Sequence, residues 1–320
     1  MKSRLYQLYG LAFDSNVALP GVPTAPNAKV DLKVRCFPSR KGPPSSPPWF
    51  MQWRFPEGEL WLSFAKVSGD YLLRFNEIGD FFIHKSGREI VSMPRSGISS
   101  NTVRHLLLNQ VIPLVINLRG GEALHASAIL TPHGVVAFAG AAGSGKSTLA
   151  GSFLLSGHQH MSDDCLALLE KDQEIYAIPA YPGLRLWDDA LSHLFGKNGA
   201  HESVSHYTDK RRVQLQKKLE AHCTESQPLR RLYAIADPSE TERKTEIIIE
   251  RLSPRESFMA LVRCAFRLDI TDNKMLRRQF YFLERVVSTV SIRRLIFPRD
   301  FTLLPAIQEA ILKDLESGDN

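Results

Sequence analysis

The chain has 320 residues, enough for one large domain or two ordinary ones. Its 43% hydrophobic and 23% charged content is that of a soluble globular protein, and its formal charge of +6 suits a nucleotide, an acidic peptide or an ordinary surface equally. The four cysteines, Cys36, Cys165, Cys223 and Cys264, form no C-x-x-C pair and have no histidine at zinc spacing, so they exclude a zinc module and read as reduced thiols of a cytoplasmic protein.

The opening MKSRLYQLYGLAF lacks the unbroken apolar run of a signal peptide. The first hundred residues read as β-rich. LWLSFAKV and YLLRFNEI alternate as strands do, and FFIHKSGREIVSMP predicts a hairpin turning near Ser86-Gly87. FPSRKGPPSSPPW is a loop, because Pro38, Pro43, Pro44, Pro47 and Pro48 cannot serve a central sheet. Trp49, Trp53 and Trp61 are expected in the core. Residues 1–98 are expected to recognise substrate or to join subunits into a homo-oligomer.

A helix should follow, capped by Ser99, Ser100 or Asn101 and running to about Leu118, with a kink at Pro113. Its segment LLLNQVIPLVINL is too short to span a bilayer and carries Asn109, Gln110 and Asn117, so no membrane partner is expected. GEALHASAIL reads as a strand, Pro132-His133-Gly134 as a turn, and GVVAFAG as a second strand. The next helix should start near Lys146 and stop around Gly157. HMSDDCLALLE is a further strand, and EIYAIPAYPGLRLW a strand and turn.

Beyond Trp187 the pattern weakens, and TDKRRVQLQKKLE is basic with no clear period. RRLYAIADP and TEIIIERL read as strands. SPRESFMALVRCAF is a helix with Ser253 as cap and Pro254 at its first position. NKMLRRQFYFLERVVSTV is a helix, VSIRRLIFP a last strand and PAIQEAILKDLE a closing helix. The order is no clean alternation, which predicts a mixed α/β domain over residues 99–320.

Within it, Gly140-Ala141-Ala142-Gly143-Ser144-Gly145-Lys146-Ser147-Thr148 fits a phosphate-binding loop. Glycines let backbone N–H groups crowd around a diphosphate, and the following helix adds the positive end of its dipole. Lys146 has the reach for the β- and γ-phosphates, and Ser147 the hydroxyl for magnesium. The spacing is not G-x-G-x-x-G, which disfavours a dinucleotide. Asp163-Asp164 comes one helix later. A phosphoryl-transfer site needs a carboxylate near the metal and gains from another that takes the hydroxyl proton. Side chains alternate along a strand, so both acids can face the phosphates only at an irregular strand end. His125, one strand before the loop, is placed to tune a carboxylate or orient a phosphate.

The succession His125, Gly140 to Thr148, Gly157-His158 and Asp163-Asp164 resembles the catalytic domain of the HPr kinase/phosphorylase family, over roughly residues 120 to 190. Two further stretches, VRHLLLNQVIPLVINLRGGEALHASAI and IRRLIFPRDFTLLPAIQEAI, look like HPr-kinase-like enzymes of lasso-peptide clusters, which phosphorylate a serine of a precursor peptide. The resemblance implies a phosphoenolpyruvate-carboxykinase-like P-loop fold. It also implies Asp163 as base, Ser147 and Asp164 as magnesium ligands, His125 as support for the base, and ATP and Mg2+ as cofactors. AYPGLRLW, with Arg185, stands where the bifunctional enzyme has a glutamate-containing signature, and the β-rich N-terminal region also differs. HPr is therefore disfavoured as substrate.

The leading expectation is an ATP- and magnesium-dependent kinase of a serine in a peptide or protein. Arg185, Lys210, Arg211 and Arg212 are candidates for contacting nucleotide or an acidic substrate. A small-molecule kinase and a non-catalytic nucleotide-binding module are the alternatives. With no zinc knuckle, helix-turn-helix pattern or RNP motif, no nucleic acid is expected.

Overall fold

The computed structural model describes residues 3–37, 47–55, 57–196, 202–205, 208–213, 221–241 and 245–317. Most of the proline-rich loop and residues 214–220 of the basic segment lie outside these. The chain divides into two compact units, Met1–Gly120 with Arg267–Arg277, and Gly121–Phe266 with Arg278–Asn320.

The first unit is an eight-stranded sheet: β1 (Arg4–Leu8), β2 (Leu11–Ser15), β3 (Leu32–Cys36), β4 (Trp49–Arg54), β5 (Leu60–Val67), β6 (Asp70–Phe75), β7 (Gly79–Ile83) and β8 (Glu89–Pro94). Its spatial order is β1-β2-β3-β8-β7-β6-β5-β4. The hairpin expected at Ser86-Gly87 joins β7 to β8, with Gly87 at a φ of 65°. The three tryptophans are only partly buried, contrary to expectation. They line the β4–β5 margin, with Trp53 against Phe64 at 4.9 Å and Trp61 against Phe75 at 5.3 Å.

Helix α1 (Ser100–Leu106) is capped by Ser99, whose hydroxyl accepts from the Thr102 amide. A π-turn over Leu107–Val111 leads into α2 (Ile112–Leu118). Pro113 offers no N–H and its ring crowds the carbonyl four residues back, so a widened turn ahead of it replaces a sharp kink. The division expected at residue 98 falls at Gly120, because this helical pair belongs to the first unit. Arg119 fastens its end there by donating to the carbonyls of Asp31 at 3.0 Å and Gly87 at 3.3 Å.

The second unit carries β9 (Glu122–Leu124), β10 (Ala126–Thr131), β11 (Gly134–Ala139), α3 (Lys146–Leu155), β12 (Gln159–Ser162), β13 (Leu166–Lys171), β14 (Glu174–Ile178), β15 (Leu184–Leu186) and α4 (Asp188–Phe195). It continues with β16 (Glu202–Ser205), β17 (Thr208–Val213), β18 (Gln227–Ile235), α5 (Pro238–Thr241), β19 (Ile248–Arg251) and α6 (Pro254–Cys264). Last come α7 (Asn273–Thr289), which begins in the segment assigned to the first unit, then β20 (Ser291–Ile296) and α8 (Leu304–Glu316). The main sheet runs β12-β10-β11-β18-β14-β13-β9, with β20 on β18 and β19 on β20. Strands β11, β18 and β20 are parallel neighbours and the other pairings are antiparallel, so the unit is mixed α/β as expected.

Both faces of this sheet are covered. Val136 and Phe138 of β11 point into a core with Leu149 and Phe153 of α3 and Ile307 and Ile311 of α8. The alternate residues Val135, Ala137 and Ala139 face Leu261 of α6 and Leu283 and Val286 of α7. Ser253 and Glu256 start α6 with a reciprocal capping box. Among the described residues, no helix is long and apolar enough to cross a membrane.

The segments read as the single strands GEALHASAIL and HMSDDCLALLE are each interrupted. Leu124 pairs with Leu166 on one side and Ala128 with Ser162 on the other. The two gaps, His125 in one segment and Asp163 to Cys165 in the other, therefore lie opposite each other. The adjacent acids mark one break in the sequence, and its pairing with the other shows only in the sheet.

Candidate active site

The chain leaves β11 through the glycine-rich loop and enters α3 at Lys146. Gly140, Gly143 and Gly145 have φ values of 155°, 75° and 103°. A Cβ on Gly140 would meet the Ser144 hydroxyl at 2.8 Å and the Ile235 carbonyl at 3.1 Å, so glycine is required there for space as well as conformation. Ala141, Ala142 and Gly143 form the exposed tip, and Thr148 sits in the first turn of α3. The buried Lys146 ammonium folds back to donate to the carbonyls of Gly140 at 2.9 Å and Ala141 at 2.8 Å. Burial holds its pKa below the usual lysine value. Lys210 adds to that effect, while Asp164 and Asp163 oppose it.

Asp163 is buried and takes hydrogen bonds on both oxygens. Its Oδ1 accepts from the Ser127 hydroxyl and the Ser147 hydroxyl, each at 2.7 Å. Its Oδ2 accepts from the Arg185 amide at 2.9 Å and lies 3.4 Å from the Arg185 Nε. Asp164 is left-handed, at a φ of 65°. Aspartate tolerates that conformation better than most residues, and it breaks the strand alternation that would send adjacent carboxylates to opposite faces. Its carboxylate lies 3.2 Å from Arg185 Nη1, and its side chain is 12% exposed against 0% for Asp163.

His125 sits at the facing break, with Nδ1 3.0 Å from the Asp164 carbonyl oxygen. A carbonyl only accepts, so Nδ1 carries the proton, and a neutral ring leaves Nε2 as an acceptor. Burial lowers the His125 pKa, and the Lys146 charge lowers it further against the pull of Asp164. The ring is therefore neutral near pH 7.

The four expected basic contacts part company. Arg185 is buried and bridges Asp163 and Asp164, so it organises the acids instead of waiting for substrate. Lys210 lies 5.8 Å over the Trp187 ring, Arg211 pairs with Asp188 at 3.2 Å, and Arg212 lies 5.5 Å from the Tyr181 ring. Of these three, Lys210 is close enough to depress the Lys146 and His125 pKa values. Sequence reasoning missed Ser127. The one available signal was its place two residues after His125, on the same side of the segment.

The residues present fit a nucleotide with magnesium. The loop is glycine-shaped, a helix starts behind it, and the buried Ser144 hydroxyl makes no hydrogen bond of its own. Ser147 and Asp163 offer two hard oxygen donors side by side. Among the described residues no group of three or more His, Cys, Asp or Glu side chains could hold a metal. Magnesium held between phosphates and one or two protein oxygens needs no such group.

No family model matches the chain, and no curated protein does. Among solved structures, the Hpr(Ser) kinase/phosphatase from Coxiella burnetii is similar at 13% identity, over 61% of this chain and 98% of that one, with a TM-score of 0.35. A likeness at this level assigns no chemistry, which has to come from the site itself.

Proposed function

We propose that this chain is an ATP- and magnesium-dependent phosphotransferase that phosphorylates a serine hydroxyl of a peptide or protein. The observation that carries the reading is the 2.7 Å bond between the loop hydroxyl of Ser147 and Asp163, with Asp164 and His125 on the facing strand breaks beside it. A phosphate cradle with a carboxylate at its serine and a second carboxylate next door holds the parts that phosphoryl transfer requires. The order of these motifs also favours a phosphoenolpyruvate-carboxykinase-like P-loop domain and a peptide substrate, ribosomal precursor peptides being the first to assay.

The geometry favours exchanging the roles expected for the two aspartates. Asp163 shares its Oδ1 with Ser147 and has both oxygens engaged, so it is the acid on the metal side. Asp164 is the more exposed carboxylate, and it is the one assigned to accept the hydroxyl proton. Lys146 and the loop amides bind and orient the phosphates, and Arg185 fixes the spacing of the acids. Magnesium, when bound, neutralises charge on the transferring phosphoryl group.

Transfer of label from γ-labelled ATP to serine-containing peptides tests the reading. Asp164→Asn should lower kcat by about a hundredfold or more, as loss of a general base does, with no rescue by metal. Asp163→Asn should raise the magnesium concentration needed for half-maximal rate by about tenfold. The opposite pattern would restore Asp163 as the base.

A further inference from the structure

The guanidinium of Arg299 donates to the carbonyl of Gly143 at the exposed tip of the phosphate loop. The sheet delivers it there. β11, β18 and β20 are parallel neighbours, so their carboxyl ends share one edge. β11 ends in the loop itself, and β20 ends at Ile296, three residues before Arg299. The Phe297 ring would lie 3.5 Å from a Cβ on Gly145, so this segment packs against the loop. Sheets with parallel strands bind ligands in the crevice beyond those carboxyl ends.

The partner Arg299 holds is neutral, and the acids around it are engaged elsewhere. Asp300 accepts from the Thr302 amide and hydroxyl at 2.8 Å and 2.7 Å. Asp237 accepts from the Ser239 amide and hydroxyl at 3.0 Å and 2.7 Å; those bonds hold its pKa low, with Arg299 contributing more weakly. Among the described residues, Arg299 has no carboxylate within ion-pair distance. The amides of such a loop cradle the inner phosphates and its lysine reaches the terminal one, whose charge gains from a further cation outside the loop. A guanidinium gains by exchanging a neutral carbonyl for anionic oxygens that match its planar fork.

We propose that Arg299 binds the terminal phosphate of a nucleoside triphosphate, releasing the Gly143 carbonyl as it does so. The assignment rests on the nucleotide-binding reading above and adds a residue that acts from the end of β20.

The test is competitive displacement of a fluorescent nucleotide from the full chain with magnesium, for wild type, Arg299→Ala and Arg299→Lys. Arg299→Ala should weaken ATP binding by about tenfold or more and ADP binding by no more than about twofold, as expected for loss of a charge-assisted hydrogen bond. Arg299→Lys should recover part of the ATP affinity, and both variants should melt with the wild type. Equal losses for ATP and ADP, or no loss for ATP, overturn the assignment and leave Arg299 as a brace of the loop. Wild type that binds neither nucleotide overturns the reading beneath it, a result separable from the first.

Discussion

Asp163 is held by donors from three separate places: Ser127 on β10, Ser147 at the start of α3 and Arg185 on β15. A buried carboxylate is tolerable only with its oxygens satisfied, and these donors also fix where it points. Ser127 is thus a positioning residue. Ser127→Ala should raise the magnesium requirement by about threefold to tenfold while leaving ATP affinity at low metal unchanged; a titration of rate against magnesium reads this out. In the proposed site His125 would act through the Asp164 carbonyl it touches, so a side chain that keeps a donor should substitute for it. His125→Asn should retain most of kcat and His125→Ala should lose about tenfold. Equal rates for the two variants would assign the ring another job.

The glycine-rich loop was legible in the sequence because its signature is local: glycine conformations, Lys146 and Ser147 within nine residues. What stayed hidden at residue scale depends on partners far along the chain. Ser127 reaches Asp163 across 36 positions and Arg299 reaches Gly143 across 156. Arg185 was legible as a cation but not as a buried one.

At the scale of elements, most helices and strands could be read from period and caps, α6 with its capping box above all. Two adjacent acids marked an irregular strand end at Asp163-Asp164, but the facing break at His125 carried no such mark, since apolar residues continue on both sides of it. Helix α4 escaped notice as a short run, DDALSHLF, of eight residues. Helix α8 is anchored to the sheet by Asp314, which pairs with the buried Arg231 at 2.6 Å and accepts from the Tyr233 hydroxyl at 2.6 Å. Removing one partner of such a pair strands the other, so Asp314→Ala should destabilise the fold by about 3–5 kcal/mol in denaturant unfolding. A loss under about 1 kcal/mol would make the pair incidental.

β12 also carries a pH sensitivity. His160 and His222 face each other with Nδ1 atoms 3.1 Å apart, and the His222 Nε2 lies 3.0 Å from the Ala180 carbonyl. Burial lowers both pKa values, for His160 well below 6.5, with the facing His222 adding to it. The folded state therefore binds fewer protons than the unfolded one. The stability these rings contribute is full above pH 6.5 and is lost as pH falls toward their folded pKa values. Thermal melts between pH 7.5 and 5.5 should show a falling Tm, about halved in extent by His160→Gln.

At the scale of the whole molecule, the second unit contains every residue assigned to the chemistry, from His125 to Arg299. Composition and charge leave a nucleotide partner and an ordinary surface equally open; the proposed nucleotide site rests on the arrangement around Asp163. The central claim is phosphoryl transfer to serine. Its most direct measurement is incubation of the full chain with γ-labelled ATP, magnesium and a pool of serine-containing peptides, followed by mapping of the label. Magnesium-dependent label on serine as an acid-stable monoester is expected, reduced by about a hundredfold or more in Lys146→Ala and Asp164→Asn. Wild type that binds ATP with magnesium yet labels no serine in any peptide or protein pool would contradict it.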